Sequence, residues 1–560
     1  MHGLRISLHR TVVHLIAAIT LCGAISPLHA DRAVDGEAQR IRIALPAEPP
    51  NLNSLVTTDQ ISGFVLSHVM EGLLRYDERG ELAPGVAERW QLRDNGATFW
   101  LRRNARWSDG RPVTARDFLF AWRQVVSPAT ASPYASALFP IKNAERINRG
   151  ELPSTALGVR AVGDYRLDVQ FERPTPYFLG LTAFFSYYPV RADFYQKRGQ
   201  RYAADAEDLL YNGAFTLTRW VHGARLTLTK NPNYWNRNAV RLNEIDIPYI
   251  TADPGATLNL FKAGNIAMAQ LDSETIGDAL GNGYPIRQFS TGSLFYLLFN
   301  LREGRVTANH NLRKAIQAVF DPASLVNKVV GLPGNFATDS LFPRTVKGID
   351  APFRDEHPAQ APQRGLGLAR HYLELAKRDL GVERMPPIVF LASDSARGSK
   401  EAEYFQQLLA AGLGLEVRID KQIAKQRLDK MQRGDFDIAA AGWGPDYDDP
   451  MTFADLFASW NENNRGRYRS ARYDELVQRA NTTADAQERM ALFAQMQQLL
   501  IDDVPLLPTY ESGQVYLQHS QLRGVVRAIF GGDPNFRYAY VVEEPPVEEP
   551  AQPAARGRAK

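Results

Sequence analysis

Ile388-Val389-Phe390-Leu391, a helical stretch through Leu408, and then Leu415-Glu416-Val417-Arg418-Ile419 are the residues that decide the fold class. The first run is short, continuous and apolar, as a buried strand is. Upstream, Leu366, Ala369, Leu373, Ala376 and Leu380 repeat at helical spacing. The order is therefore helix, strand, helix, strand, the alternation of an α/β lobe. Phe436-Asp437-Ile438-Ala439-Ala440 reads as a further strand and runs directly into Ala441-Gly442-Trp443-Gly444-Pro445-Asp446-Tyr447-Asp448-Asp449-Pro450. Gly and Pro fix a turn there, and Trp443 offers a flat apolar platform. Asp446 beside it suits a cation such as an amine. These residues alone suggest a site for something both aminated and greasy.

Outward from this point, Leu312 to Phe320 is helical in pattern. Met490, Phe493, Met496 and Leu500 mark a last long helix halted near Pro505, and Val515-Tyr516-Leu517 reads as a returning strand. The first half is mixed. Ile41 to Leu45 alternates like a strand, and Ser62 to Leu74 reads as a helix with Val65, Val69 and Leu73 on one face. Phe99 and Leu101, Leu167 to Phe171, and Leu226 with Leu228 read as strands. Thr114 with Asp117 resembles a capping box ahead of a helix that buries Phe118, Trp122 and Val125. Two unlike lobes with a C-terminal return imply a cleft between them, where small ligands bind.

The first thirty residues have the layout of an export signal: Arg5 and Arg10, an apolar stretch from Val12 to Ile25, and a cleavage site near Ala30. Asp31 to Gln39 reads as polar linker. The lone cysteine, Cys22, lies inside the leader, and bulky Leu21 before it argues against lipidation. Net charge is +3, of which Arg5 and Arg10 leave with the leader, so there is no nucleic-acid footprint. Residues 543–560 have almost no large apolar side chain and read as a disordered tail. No nucleophile elbow, zinc helix or phosphate loop is present. Gly412-Leu413-Gly414 lies between a helix and a strand, the reverse of a dinucleotide fingerprint. Asp446, Asp448 and Asp449 lack the rhythm of a calcium loop. The chain reads as a binding protein rather than an enzyme, with a secreted hydrolase as the competing class.

Longer motifs carry a resemblance. They are Glu71-Gly72-Leu73-Leu74 with Pro84 to Trp90, Leu101 to Phe118, Ala131-Ser132-Pro133-Tyr134-Ala135-Ser136, Asn212-Gly213-Ala214-Phe215, Asn231-Pro232-Asn233-Tyr234-Trp235 and Leu312-Arg313-Lys314-Ala315-Ile316. Over roughly Ile41 to Tyr540 the chain resembles the extracytoplasmic solute-binding proteins of peptide ABC importers, family 5, in its oligopeptide-binding branch. The resemblance implies an α/β two-lobed periplasmic binding protein fold, the large three-domain type II variant with an inserted α+β domain. Lobe I would hold 41–70, 192–292 and 513–542, the insert 71–191, and lobe II 293–512. It also implies a periplasmic monomer, a peptide ligand, an inner-membrane ABC permease as partner, and no cofactor or metal.

By position, Asp446 would pair with the peptide α-ammonium, backbone at Gly442 and Trp443 would run beside the peptide like an added strand, and Trp443 would flank a side-chain pocket. Thr58, Asp59 and Gln60 match the segment of lobe I that extends this pairing, and Tyr134 matches a ligand-facing tyrosine of the insert. Tyr134 and Trp443 as core aromatics, and Asp446 as a turn cap, are the competing structural readings. One departure stands out: relatives that take longer peptides often carry carboxylate-binding arginines where this chain has Ala440 and Met431. Arg433 and Arg397 are the substitutes nearby in sequence. A site with an amine anchor and no such arginines leaves ligand length open and admits a murein fragment, nickel, haem or a sugar.

Overall fold

A computed structural model describes residues 32–543 except Glu462 and Ala484, and omits the side chains of Ala424 and Lys425. The leader 1–30 and all but the first residue of the tail 543–560 lie outside the described residues.

One sheet is ordered Val34–Asp35, Arg40–Leu45, Glu244–Ile250, Arg225–Lys230 and Phe215–Val221. Its first strand falls in the expected linker, because Ala33 and Val34 are buried and Val34 pairs with Ile41. A second sheet of four strands, Ala87–Arg93, Gly96–Leu101, Arg166–Gln170 and Val159–Ala161, packs against the helix Ala115–Val126. That helix starts as its sequence predicts. The backbone N–H of Thr114 donates to Asp117 Oδ2 at 2.8 Å, and Phe118, Trp122 and Val125 are fully buried.

The helix expected over Ser62 to Leu74 instead spans Gln60–Val69, and Leu74–Tyr76 turns into a strand paired with Leu82–Pro84. The reason is Glu71. Its backbone exchanges two hydrogen bonds with the Asn212 amide, at 3.0 and 2.9 Å. Its carboxylate accepts from Tyr234 Oη at 2.6 Å and Trp235 Nε1 at 2.5 Å, and lies 3.5 Å from the Arg537 guanidinium. Three separated motifs thus converge on one buried acid, and continued helix would break that junction. Gly213 permits the approach, since a Cβ there would lie 2.5 Å from the backbone N of Met70.

The third sheet is ordered Met268–Leu271, Leu506–Gln518, Arg287–Phe299, Ile438–Trp443, Ile388–Ser393 and Val417–Gln422. The last three carry the α/β alternation, with helices Leu366–Leu380 and Ala396–Leu413. Leu366 and Leu380 nevertheless remain 44% and 38% exposed, because the helix packs mainly on the helix His310–Val319 and buries only Ala369, Leu373 and Ala376. Leu506–Gln518 and Arg287–Phe299 are antiparallel strands of 13 residues each. One end of the pair meets Met268–Leu271, and the residue before that strand, Ala267, donates its N–H to the Arg42 carbonyl of the first sheet at 2.7 Å. The other end carries Ile438–Trp443. Register slips between Ser290 and Leu294 and again between Phe295 and Tyr296. In the first slip Gly292 takes φ +68°, and a Cβ there would lie 2.7 Å from Ile529 and 3.3 Å from Pro445.

Candidate ligand-binding site

The strand Ile438–Trp443 presents alternate faces to two cores. Ala439 and Ala441 sit with Leu294, Tyr296 and Leu298 on one side, while Ile438 and Ala440 sit with Leu297 and Phe299 on the other. One edge pairs along its whole length with Leu294 to Phe299. The other edge pairs with Ile388–Ser393 only at Ile438 and Ala439. From Ala440 to Trp443 that edge has no strand partner among the described residues. Gly442 and Gly444 are exposed, so no side chain screens their backbone. An extended ligand can add there as a strand. Trp443 packs on the core beside Leu294, but its indole Nε1 is buried with no hydrogen-bond partner among the described residues.

The turn that follows sorts three acids into different roles. Asp449 forms a two-pronged pair with Arg489, both contacts at 2.7 Å, and also accepts from the backbone N–H of Met451. Asp448 lies 2.8 Å from Lys347 Nζ. The backbone N–H of Asp446 donates to Thr452 Oγ1 at 3.1 Å, yet no donor meets the Asp446 carboxylate among the described residues. It keeps some contact with solvent, and the surrounding protein pushes its pKa up to about 7 by desolvation. No group of three metal-ligating side chains occurs among the described residues.

Tyr134 lies across from this acid. Burial, and after it the charge of Asp446, raises the pKa of its phenol. Its ring meets Phe184 and Phe185 edge to face, at 5.0 and 5.6 Å. Phe185 also abuts the first turn of helix Gln60–Val69, where a Cβ on Gly63 would lie 3.5 Å from its ring. Thr58, just ahead of that turn, and Gln60, its first residue, are exposed. Asp59 is engaged locally, since its carboxylate accepts from the Ser62 N–H at 2.8 Å and Thr57 Oγ1 at 2.9 Å and caps the helix. So Gly442, Trp443 and Asp446 share one wall, Tyr134 is within electrostatic reach, and 58–60 join through Phe185.

Sequence reasoning missed what joins the walls. Tyr447 stacks on Tyr177 at 4.9 Å and 14°, and it packs against the cores of both sides. Only its place next to Asp446 hinted at this. Of the two substitute arginines, Arg433 pairs with Asp435 at 2.9 Å and Arg397 with Glu401 at 3.0 Å.

The family model for bacterial extracellular solute-binding proteins, family 5, matches residues 81–465. The chain belongs to this family. It is 30% identical over 511 residues to the oligopeptide-binding protein OppA of Bacillus subtilis, covering 89% of this chain and 92% of that one. Among solved structures, the substrate-binding domain of an oligopeptide ABC transporter from Bacillus anthracis matches with TM-score 0.80 and 33% identity, over 91% of this chain and 100% of that one. The Escherichia coli murein tripeptide binding protein MppA matches with TM-score 0.78 and 27% identity, over 91% and 100%. Its unliganded open form, covered 92% and 99%, agrees less well, with TM-score 0.70 at 27% identity. That difference accords with the closed stacking of Tyr447 on Tyr177. Members of the family are binding proteins. No helix among the described residues is long and apolar enough to cross a membrane.

Proposed function

We propose that this protein captures peptides between its lobes and delivers them to an ABC importer. One observation carries the reading: a walled-in, unpaired carboxylate, Asp446, stands at the end of an unpaired strand edge. The peptide α-ammonium supplies the missing charge, and its backbone adds to the edge at Gly442 and Trp443. Tyr134 closes the pocket from the other wall, and Thr58, Asp59 and Gln60 border the ligand opposite. Because Asp59 caps its helix, its part is to place its neighbours rather than to bind charge.

The reading includes lobe I from 41–70, 192–292 and 513–542, an insert at 71–191 and lobe II at 293–512. The separate four-stranded sheet between Ala87 and Gln170 supports the insert. It includes export with cleavage near Ala30 and action as a monomer. Hydrolysis of glycans, which needs two working carboxylates, is disfavoured by the ion pairs that hold Asp448 and Asp449.

Calorimetry with di- to pentapeptides should detect binding that N-acetylation of the peptide abolishes. Equal binding of acetylated peptides would overturn the role of Asp446. Mass spectrometry of the ligand carried through purification distinguishes ordinary peptides from murein fragments and from non-peptide solutes.

A further inference from the structure

A second unsatisfied charge lies at the other end of the same strand edge. Arg427, on the helix Ala424–Arg433, donates from Nη1 to the carbonyl of Ala440 at 2.6 Å, while its Nε is buried with no partner among the described residues. Arg465 is close enough that its charge adds to the burial that already holds the Arg427 pKa below the ordinary arginine value. Burial likewise lowers Arg465, whose only side-chain bond among the described residues runs to Asn463 Oδ1 at 3.0 Å. The phenol of Tyr296, pushed up to about 12 by burial, is within electrostatic reach of both guanidinium groups. Among the described residues no carboxylate pairs with either arginine, and the groups acting on them include no acid.

This arrangement is unlike the other enclosed arginines. Arg489 pairs with Asp449, Arg527 with Asp533 and Arg537 with Glu71, while Arg313 donates to four backbone carbonyls. Two adjacent guanidinium groups, half-buried and without an anion, are unfavourable in an empty site. A carboxylate entering between them relieves both the desolvation and the mutual repulsion.

We propose that Arg427 and Arg465, with the hydroxyl of Tyr296, receive a carboxylate of the bound peptide in place of the arginines absent at Ala440 and Met431. The proposal rests on the peptide-binding reading and specifies its other end. Trp443 and Ala440 are three strand steps apart, about 10 Å at ~3.3 Å per residue. A peptide anchored at Asp446 and lying along this edge therefore brings its third or fourth residue to the arginines. The carboxylate is either the C-terminus of a peptide of about that length or an acidic side chain at the same place.

The test is calorimetry on the whole protein with Ala-Ala-Ala, its C-terminal amide, and Ala-Ala-Glu amide. Amidation of Ala-Ala-Ala should weaken binding about thirtyfold or more, as loss of a desolvated charge partner does. Recovery with Ala-Ala-Glu amide would place an acidic side chain at the arginines, and no recovery would assign them to the C-terminus. Arg427→Gln and Arg465→Gln should each shrink the difference between acid and amide. Arg427→Lys, which keeps a donor toward Ala440, should retain most of it. Equal affinity of acid and amide for the unaltered protein would overturn this proposal and leave peptide binding standing. Failure of all three peptides, and of longer ones, would remove the peptide reading and this proposal with it.

Discussion

Asp446→Asn should make the empty protein more stable while making it a worse binder. The carboxyl moves from 3.8 to about 7 through desolvation alone. A group raised in this way favours the protonated folded state, so its contribution to stability is most favourable below the unfolded value and is lost as pH rises through 7. At about 1.36 kcal/mol per pKa unit, keeping the carboxylate ionised in the empty site at pH 8 costs at most about 4 kcal/mol. Remaining solvent contact reduces this to an expected gain of about 1–3 kcal/mol for the amide. Thermal unfolding without peptide should therefore show the variant above the parent at pH 8, with a smaller gap at pH 5. Adding a free-amine peptide should reverse the order, because the variant loses about 2–5 kcal/mol of binding. A variant less stable than its parent at pH 8, or a gap independent of pH, would refute the argument that this acid is desolvated and unpaired. Retained peptide affinity would refute its role as the amine anchor.

Three other outcomes are expected. Asp449→Ala strands the Arg489 charge, whose side chain is 6% exposed, and should lower stability by about 3–5 kcal/mol in denaturant unfolding. His68 is held neutral, with Nδ1 donating to Phe64 O and Nε2 accepting from the Phe536 N–H; burial lowers its pKa to about 4. Stability present above 6.5 should fall by about 3 kcal/mol as pH drops toward 4, a slope that His68→Gln should remove. Tyr447→Ala deletes the stack on Tyr177, worth about 0.5–1.5 kcal/mol beyond its buried area, and should weaken peptide binding and raise the radius of gyration of the empty protein in X-ray scattering.

The parts of this architecture readable from the chain were those encoded locally. Continuous apolar runs at Ile388 and Val417, the capping pair at Thr114 and Asp117, and the turn at Asp446 each carry their own signal. The helix after Asp59 stops earlier than its apolar spacing predicts, because its stop is set by Asn212, Tyr234 and Trp235, far away in sequence. The long strand Arg287–Phe299 is apolar and strand-like in sequence only toward its end, from Leu294 to Phe299. Its first half, Arg287 to Gly292, has no alternating apolar pattern and is a strand because Leu506–Gln518 pairs with it. At the site, the turn composition singles out the acid, whereas nothing local in the sequence distinguishes Arg427. Its contact with Ala440 depends on how the helix packs over the sheet, which spacing alone does not reveal.

Gly292 gives the molecule a mechanical property. It lies where the two 13-residue strands lose register, and it is the residue against which Pro445 rests. Asp446 is the next residue along. On the proposed reading the acid that holds the amine is thus anchored where the two long strands slip, so a movement of one lobe against the other would carry the grip with it. A permease that senses only the angle between the lobes would, through this lever, be sensing whether an amine has been caught.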